Sequence, residues 1–359
     1  ATSWTGRKPT GIDRVCDAYL RHYRARANAV IQHRGVVKVL TARHSDALFT
    51  LLEERTQHFR WKLAQLGLKV AMGSAKPEHY DGKIYLNVGH TDFDLPGHWQ
   101  WVRSSGLTGY YMVHDLIPIK RPDLTRPHAV RRHSARLVQA LEKADGIITN
   151  SHSTLDDLRN FAAAQELSIP PAMPAHLGVD HVAGILRSPV GSGNHFVCLS
   201  TIEPRKNHLL LLRVWRKLIE KLGQGSVPKL VLIGQWGRQA EHVRTMLHSD
   251  SNLSRHVLVL DNCGDAEMLR WLRSAQAALL PSIAEGYGLP LAEAMALKIP
   301  VIASDLPCYR EIGDSIPLLV PATDDEAWET AITRFLNDRA EAERQRRLLS
   351  NHQPRSWSG

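Results

Sequence analysis

The sequence contains no long apolar run and little cysteine. No stretch of about 18 consecutive apolar residues occurs among the 359 residues, which argues against a helix that spans a bilayer. The first residues lack the charged-then-apolar pattern of a secretory signal peptide. The four cysteines form no C-x-x-C pair and have no histidine at zinc-finger spacing. We therefore expect reduced, buried thiols and a cytoplasmic protein.

Aromatic residues are also scarce, at 6% of the chain, while basic residues give a net charge of +9. This charge favours anionic partners such as nucleotides, diphosphate lipids or an anionic membrane surface. Arginines gather at 21–26, 126–136 and 344–347. Neither an RNA-binding aromatic signature nor a recognition-helix pattern accompanies them, which argues against nucleic acid as a partner.

Strand-like and helix-like segments alternate in both halves of the chain, which predicts an α/β fold with parallel sheets. A stretch rich in proline, glycine and serine at 168–193 predicts a linker, and hence two domains, 1–185 and 186–359. The predicted helices are 13–23, 45–66, 130–143, 151–161, 207–222 and 266–273. The predicted strands are 83–88, 109–113, 146–149, 195–199, 229–233, 256–260, 277–280 and 300–303.

The most informative motif follows the apolar strand at 277–280. A loop with two glycines leads to Pro290, which stands where a helix is expected to begin. The N-terminus of a helix is an anion site, and glycines let a ligand approach the backbone. Glu285 before the turn and Glu293 in the first helical turn can contact two parts of one ligand, and carboxylates suit sugar hydroxyls. The alternative interpretation is a strand, loop and helix with a capping glutamate.

A second motif, Glu-Pro-Arg-Lys-Asn at 203–207, also follows a strand and opens a helix. Its two cations, Arg205 and Lys206, adjoin the predicted helix N-terminus. A diphosphate leaving group needs such charge compensation when its bond to a sugar breaks. The alternative interpretation is a basic surface turn.

These motifs resemble family four of the retaining GT-B glycosyltransferases. The pair Glu285 and Glu293 is similar to the family's E-x(7)-E motif, and 203–207 is similar to its donor-phosphate motif. Further similar segments lie at 10–15, 113–118, 144–153, 299–304 and 311–314. The resemblance implies a GT-B fold, in which two Rossmann-like domains turn their parallel sheets towards a central cleft. The first domain would bind the acceptor and the second the nucleotide sugar.

The resemblance also implies roles for residues in the second half. Arg205 and Lys206 would bind the donor diphosphate. Glu285 would hold hydroxyls of the transferred sugar, as a catalytic residue, and Glu293 would bind the nucleotide ribose. Backbone amides would help to hold sugar and phosphate at Gly286, Tyr287, Gly288 and Leu289.

In the first half, the resemblance places His114 beside the reacting carbon as a second catalytic residue. Gly11 would let its loop approach the diphosphate and the acceptor, and His90 is an acceptor-side candidate. The sequence departs from the family pattern at both ends. A full strand is missing before Gly11, and the chain stops just after Ser356-Trp357. From this we expect a trimmed chain or one module of a larger protein.

The function implied is transfer of a hexose from a nucleotide diphosphate sugar, with retention of the anomeric configuration. Mannose or a 6-deoxyhexose from a GDP-sugar is favoured, and the acceptor would be a carbohydrate or lipid-linked glycan in bacterial polysaccharide synthesis. Neither a metal nor another cofactor is expected. An anionic surface of the inner membrane is an expected partner.

Three alternatives compete with this interpretation. Asp92-Phe93-Asp94 matches the metal-binding D-x-D pattern of GT-A transferases. A sugar-nucleotide epimerase shares the GT-B architecture and needs no acceptor. A non-catalytic module would bind a nucleotide sugar and transfer nothing.

Overall fold

The computed structural model describes residues 11–33, 36–54, 58–72, 80–179 and 193–357. They fall into two units, the first ending at His176 and the second running from Leu177 to Trp357. The predicted boundary between residues 185 and 186 lies outside the described ranges and stays a prediction.

The first unit contains one four-stranded parallel sheet and one separate antiparallel pair of strands. Its helices are α1 Gly11–Tyr23, α2 Ala42–Glu54, α3 Phe59–Met72, α4 Pro96–Ser104, α5 Ile117–Lys120, α6 Pro127–Lys143 and α7 His152–Ala164. Its strands are β1 Val30–His33, β2 Val36–Val39, β3 Ile84–Asn87, β4 Thr108–Val113, β5 Gly146–Thr149 and β6 Ala172–Pro174. The parallel sheet has the order β3-β4-β5-β6, and β1 pairs with β2.

The parallel sheet of the first unit is covered by helices because its central strands carry apolar side chains on both faces. In β4, Tyr111, Met112 and Val113 are fully buried. Leu137 of α6 and Leu158 of α7 belong to the same core as Tyr111 and Val113. This core confirms the predicted strands at 83–88, 109–113 and 146–149 to within one residue.

Helix α7, predicted over 151–161, begins at a clear N-cap. The Ser151 side chain accepts a hydrogen bond from the Thr154 backbone N–H at 3.0 Å. Ser151 is therefore the N-cap, because it satisfies an amide that the helix leaves unpaired.

The single helix predicted at 45–66 is wrong, since the structure has α2 and α3 in this range. One buried cluster contains Leu48 and Leu52 of α2 together with Leu66 of α3. In an unbroken helix, residues 48 and 66 would lie about 27 Å apart, at 1.5 Å of rise per residue. Packing in one cluster therefore requires the chain to change direction.

The second unit is built on a six-stranded sheet in which every paired strand is parallel. Its strands are β7 His195–Leu199, β8 Lys229–Ile233, β9 Val257–Leu260, β10 Ala278–Leu280, β11 Val301–Ser304 and β12 Leu318–Val320. Its helices are α8 His208–Leu222, α9 Glu241–Ser249, α10 Ser251–His256, α11 Asp265–Ser274, α12 Leu289–Ala296, α13 Pro307–Gly313, α14 Asp325–Asn337 and α15 Ala340–Asn351.

The strand order of the second unit is β12-β11-β10-β7-β8-β9. The chain begins at β7 in the middle, proceeds to one edge, and returns at β10 to build the other half. β7 and β10 are therefore neighbours at the point where the order reverses. In parallel α/β sheets, ligands bind outside the carboxyl ends of the strands at this topological switch point.

The last helices of the second unit pack onto this sheet. Trp328 of α14 is fully buried, and its indole N–H donates to the Pro321 carbonyl at 3.0 Å. Gln345 of α15 is also fully buried and binds both the N–H and the carbonyl of Val301, at 2.7 and 3.1 Å. No helix in the described part of the chain combines the length and the hydropathy needed to cross a membrane.

Candidate functional site

Two loops meet at the switch point of the second unit. One follows β7 and contains 203–207, and the other follows β10 and contains 281–288. The Ile283 backbone N–H donates to the Arg205 carbonyl at 2.8 Å, which ties the loops together directly. The Asn207 side chain donates to the carbonyls of Pro281 and Ala322, at 3.1 and 2.9 Å. The two motifs, about 80 residues apart in sequence, thus form one site.

Glu285 is the centre of a buried ion cluster at this site. One carboxylate oxygen, Oε2, accepts from Arg205 Nη1 at 2.8 Å. The other, Oε1, accepts from Lys206 Nζ and from Ser282 Oγ, the latter at 2.7 Å. The side chains of Glu285 and Lys206 are only 8% and 10% exposed. Charge-assisted hydrogen bonds are strong in such surroundings because little water competes with them.

The charges around Glu285 determine its protonation. Burial alone would raise the pKa of this carboxyl, but the charges of Lys206 and Arg205 outweigh burial and lower the pKa to about 2. Glu285 is therefore ionised at neutral pH. It accepts hydrogen bonds well and is a weak base.

Arg205 and Lys206 differ in how their hydrogen-bond donors are used. Arg205 Nε and Nη2 donate to Glu203 Oε1 at 3.2 and 2.9 Å. Its Nη1 donates to the Ala284 carbonyl at 2.9 Å as well as to Glu285. An ammonium has three N–H donors, and Lys206 directs one contact to Glu285 within the described residues.

The loop after β10 has a backbone that only glycine adopts easily. Gly288 is the N-cap of α12 with φ of +97°, and a Cβ atom there would lie 2.3 Å from the Tyr309 ring. Tyr287 beside it is buried, and its hydroxyl donates to the Leu177 carbonyl at 3.0 Å. Glu293 lies in α12 and is also buried, at 7% exposure.

A second group of polar residues lies in the first unit, near the carboxyl ends of β3 and β4. The His90 ring centroid is 5.0 Å from that of His114 and 5.6 Å from that of His133. His114 Nε2 lies 2.7 Å from the Val88 carbonyl, and His133 Nε2 lies 2.9 Å from the Asp115 carbonyl. The three imidazoles thus fix the turn after β4.

These three histidines are neutral at physiological pH. Burial is the main cause that lowers the pKa of His90, His114 and His133. Their mutual repulsion also lowers the pKa of His90, because one charged ring would disfavour the next. Neutral imidazoles can still donate or accept a hydrogen bond.

The D-x-D pattern is engaged by arginines. Asp94 pairs with Arg132 at 2.7 Å and with Arg136 at 3.0 Å, and Asp92 lies 3.4 Å from Arg132. Phe93 between them is fully buried. Within the described residues, no group of three or more His, Cys, Asp or Glu side chains is arranged to hold a metal ion. Asp92 and Asp94 therefore attach the loop after β3 to α6 through ion pairs.

Comparison with known proteins places this site in a family. The sequence model of "Glycosyl transferases group 1" matches residues 189–352, which include the ion cluster. The lipopolysaccharide core biosynthesis mannosyltransferase LpcC of Rhizobium leguminosarum bv. viciae is 30% identical over 258 residues, covering 67% of this chain and 68% of LpcC. The chain belongs to the group 1 glycosyltransferase family.

Other relatives differ in length or show the fold alone. The serotype-specific mannosyltransferase WbdA of Escherichia coli is 27% identical over 228 residues. This match spans 59% of the present chain but only 28% of WbdA. The crystal structure of Anabaena HepE in complex with UDP and glucose has a TM-score of 0.64 and 15% identity, covering 96% of this chain and 92% of HepE. This likeness confirms the predicted GT-B fold class.

The predicted site residues of the glycosyltransferase chain lie as follows. Arg205, Lys206 and Glu285 come together in the ion cluster. The loop beside the cluster and the start of α12 contain Gly286, Tyr287, Gly288, Leu289 and Glu293. In the first unit, His114 and His90 are neighbours, and Gly11 is the first residue of α1.

The sequence did not predict three residues that contact the ion cluster or the histidine group. Ser282 and Glu203 lie inside the quoted motifs, but nothing in the spacing showed that they bind Glu285 and Arg205. His133 lies in α6, 19 residues after His114, and no local pattern connects the two. Which ligand atoms each predicted residue contacts stays a prediction.

Proposed function

We propose that this chain transfers a hexose from a nucleotide diphosphate sugar to a carbohydrate or lipid-linked glycan, with retention of the anomeric configuration. The ion cluster of Glu285, Lys206 and Arg205 at the switch point of the second unit is the observation that carries the proposal. It provides fixed cations and an ionised carboxylate at the edge where such sheets bind nucleotides.

The chemistry of the cluster suits a diphosphate leaving group. Lys206 and the N-terminus of α12 supply positive charge where negative charge develops on the departing phosphate. The Glu285 carboxylate accepts hydrogen bonds from hydroxyls of the transferred sugar and thereby orients it. From the family resemblance we also propose that His114, which is neutral, is a second catalytic residue.

The protonation of Glu285 favours a front-face course. A carboxyl with a pKa of about 2, held by two cations, is a poor base and a poor nucleophile. We propose that the leaving phosphate takes the acceptor proton on the face from which it departs. Catalysis then rests on positioning and charge stabilisation by this chain's residues.

The sugar and the base are proposed from relatives. LpcC and WbdA are mannosyltransferases by name, which supports mannose and hence a GDP-sugar, with a place in polysaccharide or lipopolysaccharide synthesis. The HepE complex contains UDP and glucose instead, so the test must compare both kinds of donor.

A donor screen and product analysis test this proposal. Thermal shift against GDP-, UDP-, dTDP- and ADP-sugars identifies the donor, since a ligand that binds the native state raises the melting temperature. NMR of the product formed with that donor and a glycan acceptor should show the anomeric configuration of the donor. An inverted linkage would contradict the proposal.

Two controls separate the alternatives. Acceptor-independent release of nucleotide and an altered sugar would indicate an epimerase, and binding without transfer a non-catalytic module. Loss of transfer in EDTA, restored by Mn²⁺, would assign the reaction to a metal. Transfer that persists in EDTA agrees with the metal-independent course proposed here.

We also propose that an anionic membrane surface is a partner. The support is α3, where Trp61 and Leu68 are 63% and 64% exposed. They are seven residues apart and thus share one helix face. Tryptophan beside basic residues is typical of interfacial helices. Co-sedimentation should be stronger with phosphatidylglycerol-containing vesicles than with pure phosphatidylcholine vesicles, and Trp61→Ser should weaken it. Equal sedimentation with both would contradict this proposal.

A further inference from the structure

The Arg205 guanidinium is already held by the protein on each of its edges. Nε and Nη2 donate to Glu203, and Nη1 donates to Glu285 and to the Ala284 carbonyl. The side chain is 24% exposed. The four contacts use four of the five N–H groups of a guanidinium. A phosphate that bound Arg205 through two N–H groups, as arginine commonly binds phosphate, would therefore have to displace one of these acceptors, and a displaced carboxylate would lose a charge-assisted bond.

We propose that Glu203 acts through Arg205 as a positioning residue for Glu285, and that Arg205 orients this carboxylate rather than binding the donor diphosphate. The inference rests on the function proposed above. It assigns the contact with the diphosphate to Lys206 alone among the two cations of the motif.

The Glu285 carboxylate is held through both of its oxygens. Oε1 is held by Lys206 and Ser282, and Oε2 is held by Arg205. A carboxylate held through one oxygen can rotate about its last bond, whereas one held through both oxygens presents its remaining lone pairs in fixed directions. Arg205 therefore determines where a sugar hydroxyl would meet Glu285.

Glu203 in turn fixes Arg205. Pro204 separates the two residues and opens the short 3-10 turn 204–206, so their side chains are held on one side of a rigid bend. Glu203 engages two guanidinium nitrogens with a single oxygen. With Glu203 absent, these nitrogens lose this acceptor, and the guanidinium is held less firmly in the orientation that contacts Glu285.

The charge balance agrees with this division of roles. Arg205 contacts two carboxylates, those of Glu203 and Glu285, whereas Lys206 contacts that of Glu285 within the described residues, so Arg205 offers less net attraction to an anion than Lys206 does. Lys206 retains N–H donors beyond its contact with Glu285 within the described residues. It lies in the turn that opens α8, where the helix dipole adds positive charge.

Four variants test the inference in the full chain: Glu203→Ala, Glu203→Gln, Arg205→Ala and Lys206→Ala. Calorimetric titration with GDP and UDP gives Kd for the nucleoside diphosphate, and transfer assays give kcat. We expect Lys206→Ala to raise Kd about 10-fold or more. Glu203→Ala and Arg205→Ala should leave Kd within about twofold and lower kcat about 10- to 100-fold. These variants disturb the contact of Glu285 with the reacting sugar, and that contact is absent from the complex with the nucleoside diphosphate.

Two comparisons distinguish positioning from a general structural effect. Glu203→Gln should recover part of kcat, because the amide oxygen still accepts from the guanidinium. The double variant Glu203→Ala/Arg205→Ala should have the kcat of Arg205→Ala, since residues in one chain of contacts act non-additively. Additive losses would overturn the inference. So would a rise in Kd in Arg205→Ala as large as in Lys206→Ala, or tighter nucleotide binding in Glu203→Ala.

A comparison of melting temperatures in single and double variants tests the contact between Glu203 and Arg205 without any transfer assay. If no donor supports transfer, the proposed function fails, but this comparison still gives a result for the positioning chain. Glu203→Ala should lower the melting temperature of the wild type. It should have a much smaller effect in the Arg205→Ala background, where the contact with Glu203 is already absent. Equal shifts in the two backgrounds would overturn the positioning chain.

Discussion

The charge of Glu285 makes a measurable prediction about stability. The carboxyl titrates at about 2 in the folded protein, and near 4.3 in an unfolded chain. Its stabilising contribution is present above the unfolded pKa and is lost as pH falls towards the folded pKa. The difference between the two pKa values is worth about 3 kcal/mol at pH 7, of which about 2 kcal/mol is lost by pH 3.

The substitution Glu285→Gln isolates this contribution, because it keeps the shape and removes the charge. We expect the free energy of unfolding of the variant to be lower than that of the wild type by about 3 kcal/mol at pH 7. The gap should narrow to about 1 kcal/mol at pH 3. Urea titrations at pH 3, 5 and 7, followed by tryptophan fluorescence, measure it, and Trp215 and Trp328 report from the core of the second unit.

An exposed carboxylate provides the matched control. Glu220 lies on the exposed face of α8, and Glu220→Gln should differ from the wild type by less than about 0.5 kcal/mol at every pH. A gap between wild type and Glu285→Gln that stays constant from pH 7 to pH 3 would refute the linkage reasoning. It would mean that the ion cluster does not hold the carboxylate charged.

Three further predictions concern other buried groups. Burial is the main cause that lowers the pKa of His208 to about 4. Between pH 7.5 and pH 5, the free energy of unfolding measured in urea should fall by about 2 kcal/mol more in the wild type than in His208→Gln. The reason is that only the unfolded histidine gains a proton in this range. Asp94→Asn should lower the free energy of unfolding by about 2–3 kcal/mol, because a half-buried arginine loses its partner. Asp92→Asn should lower it by less than about 1 kcal/mol. Equal losses in the two variants would contradict the pairing of Asp94 with the arginines of α6. Gly288→Ala should lower the calorimetric stability by about 2–4 kcal/mol, since its positive φ and a buried tyrosine ring oppose a methyl group. Gly225→Ala, which meets no atom within 4 Å, is the control that should change little.

Several features of the fold could be predicted because their signal is local. The strands at 195–199 and 229–233 are apolar at every position after the first, and a strand segment buried on both faces has to be apolar throughout. Other elements escaped prediction. Polar residues interrupt β1 and β2, at Gln32 and Lys38, and β6 lies inside the stretch at 168–193 that was predicted to be a linker. α15 is mostly polar, and it is attached through buried Ala342 and Leu349 and through buried Gln345, which bonds to a strand.

The sequence by itself determined which chemical groups are available at the site. Two cations before one helix and a glutamate before another follow from the motifs at 203–207 and 285–293, because strand, loop and helix boundaries are encoded by neighbouring residues. Only the tertiary structure decided how these groups are shared. Glu285 and Arg205 are 80 positions apart, and they meet because the strand order reverses between β7 and β10. Side-chain pairing across a sheet depends on which strands become neighbours, and this information is absent from any single segment.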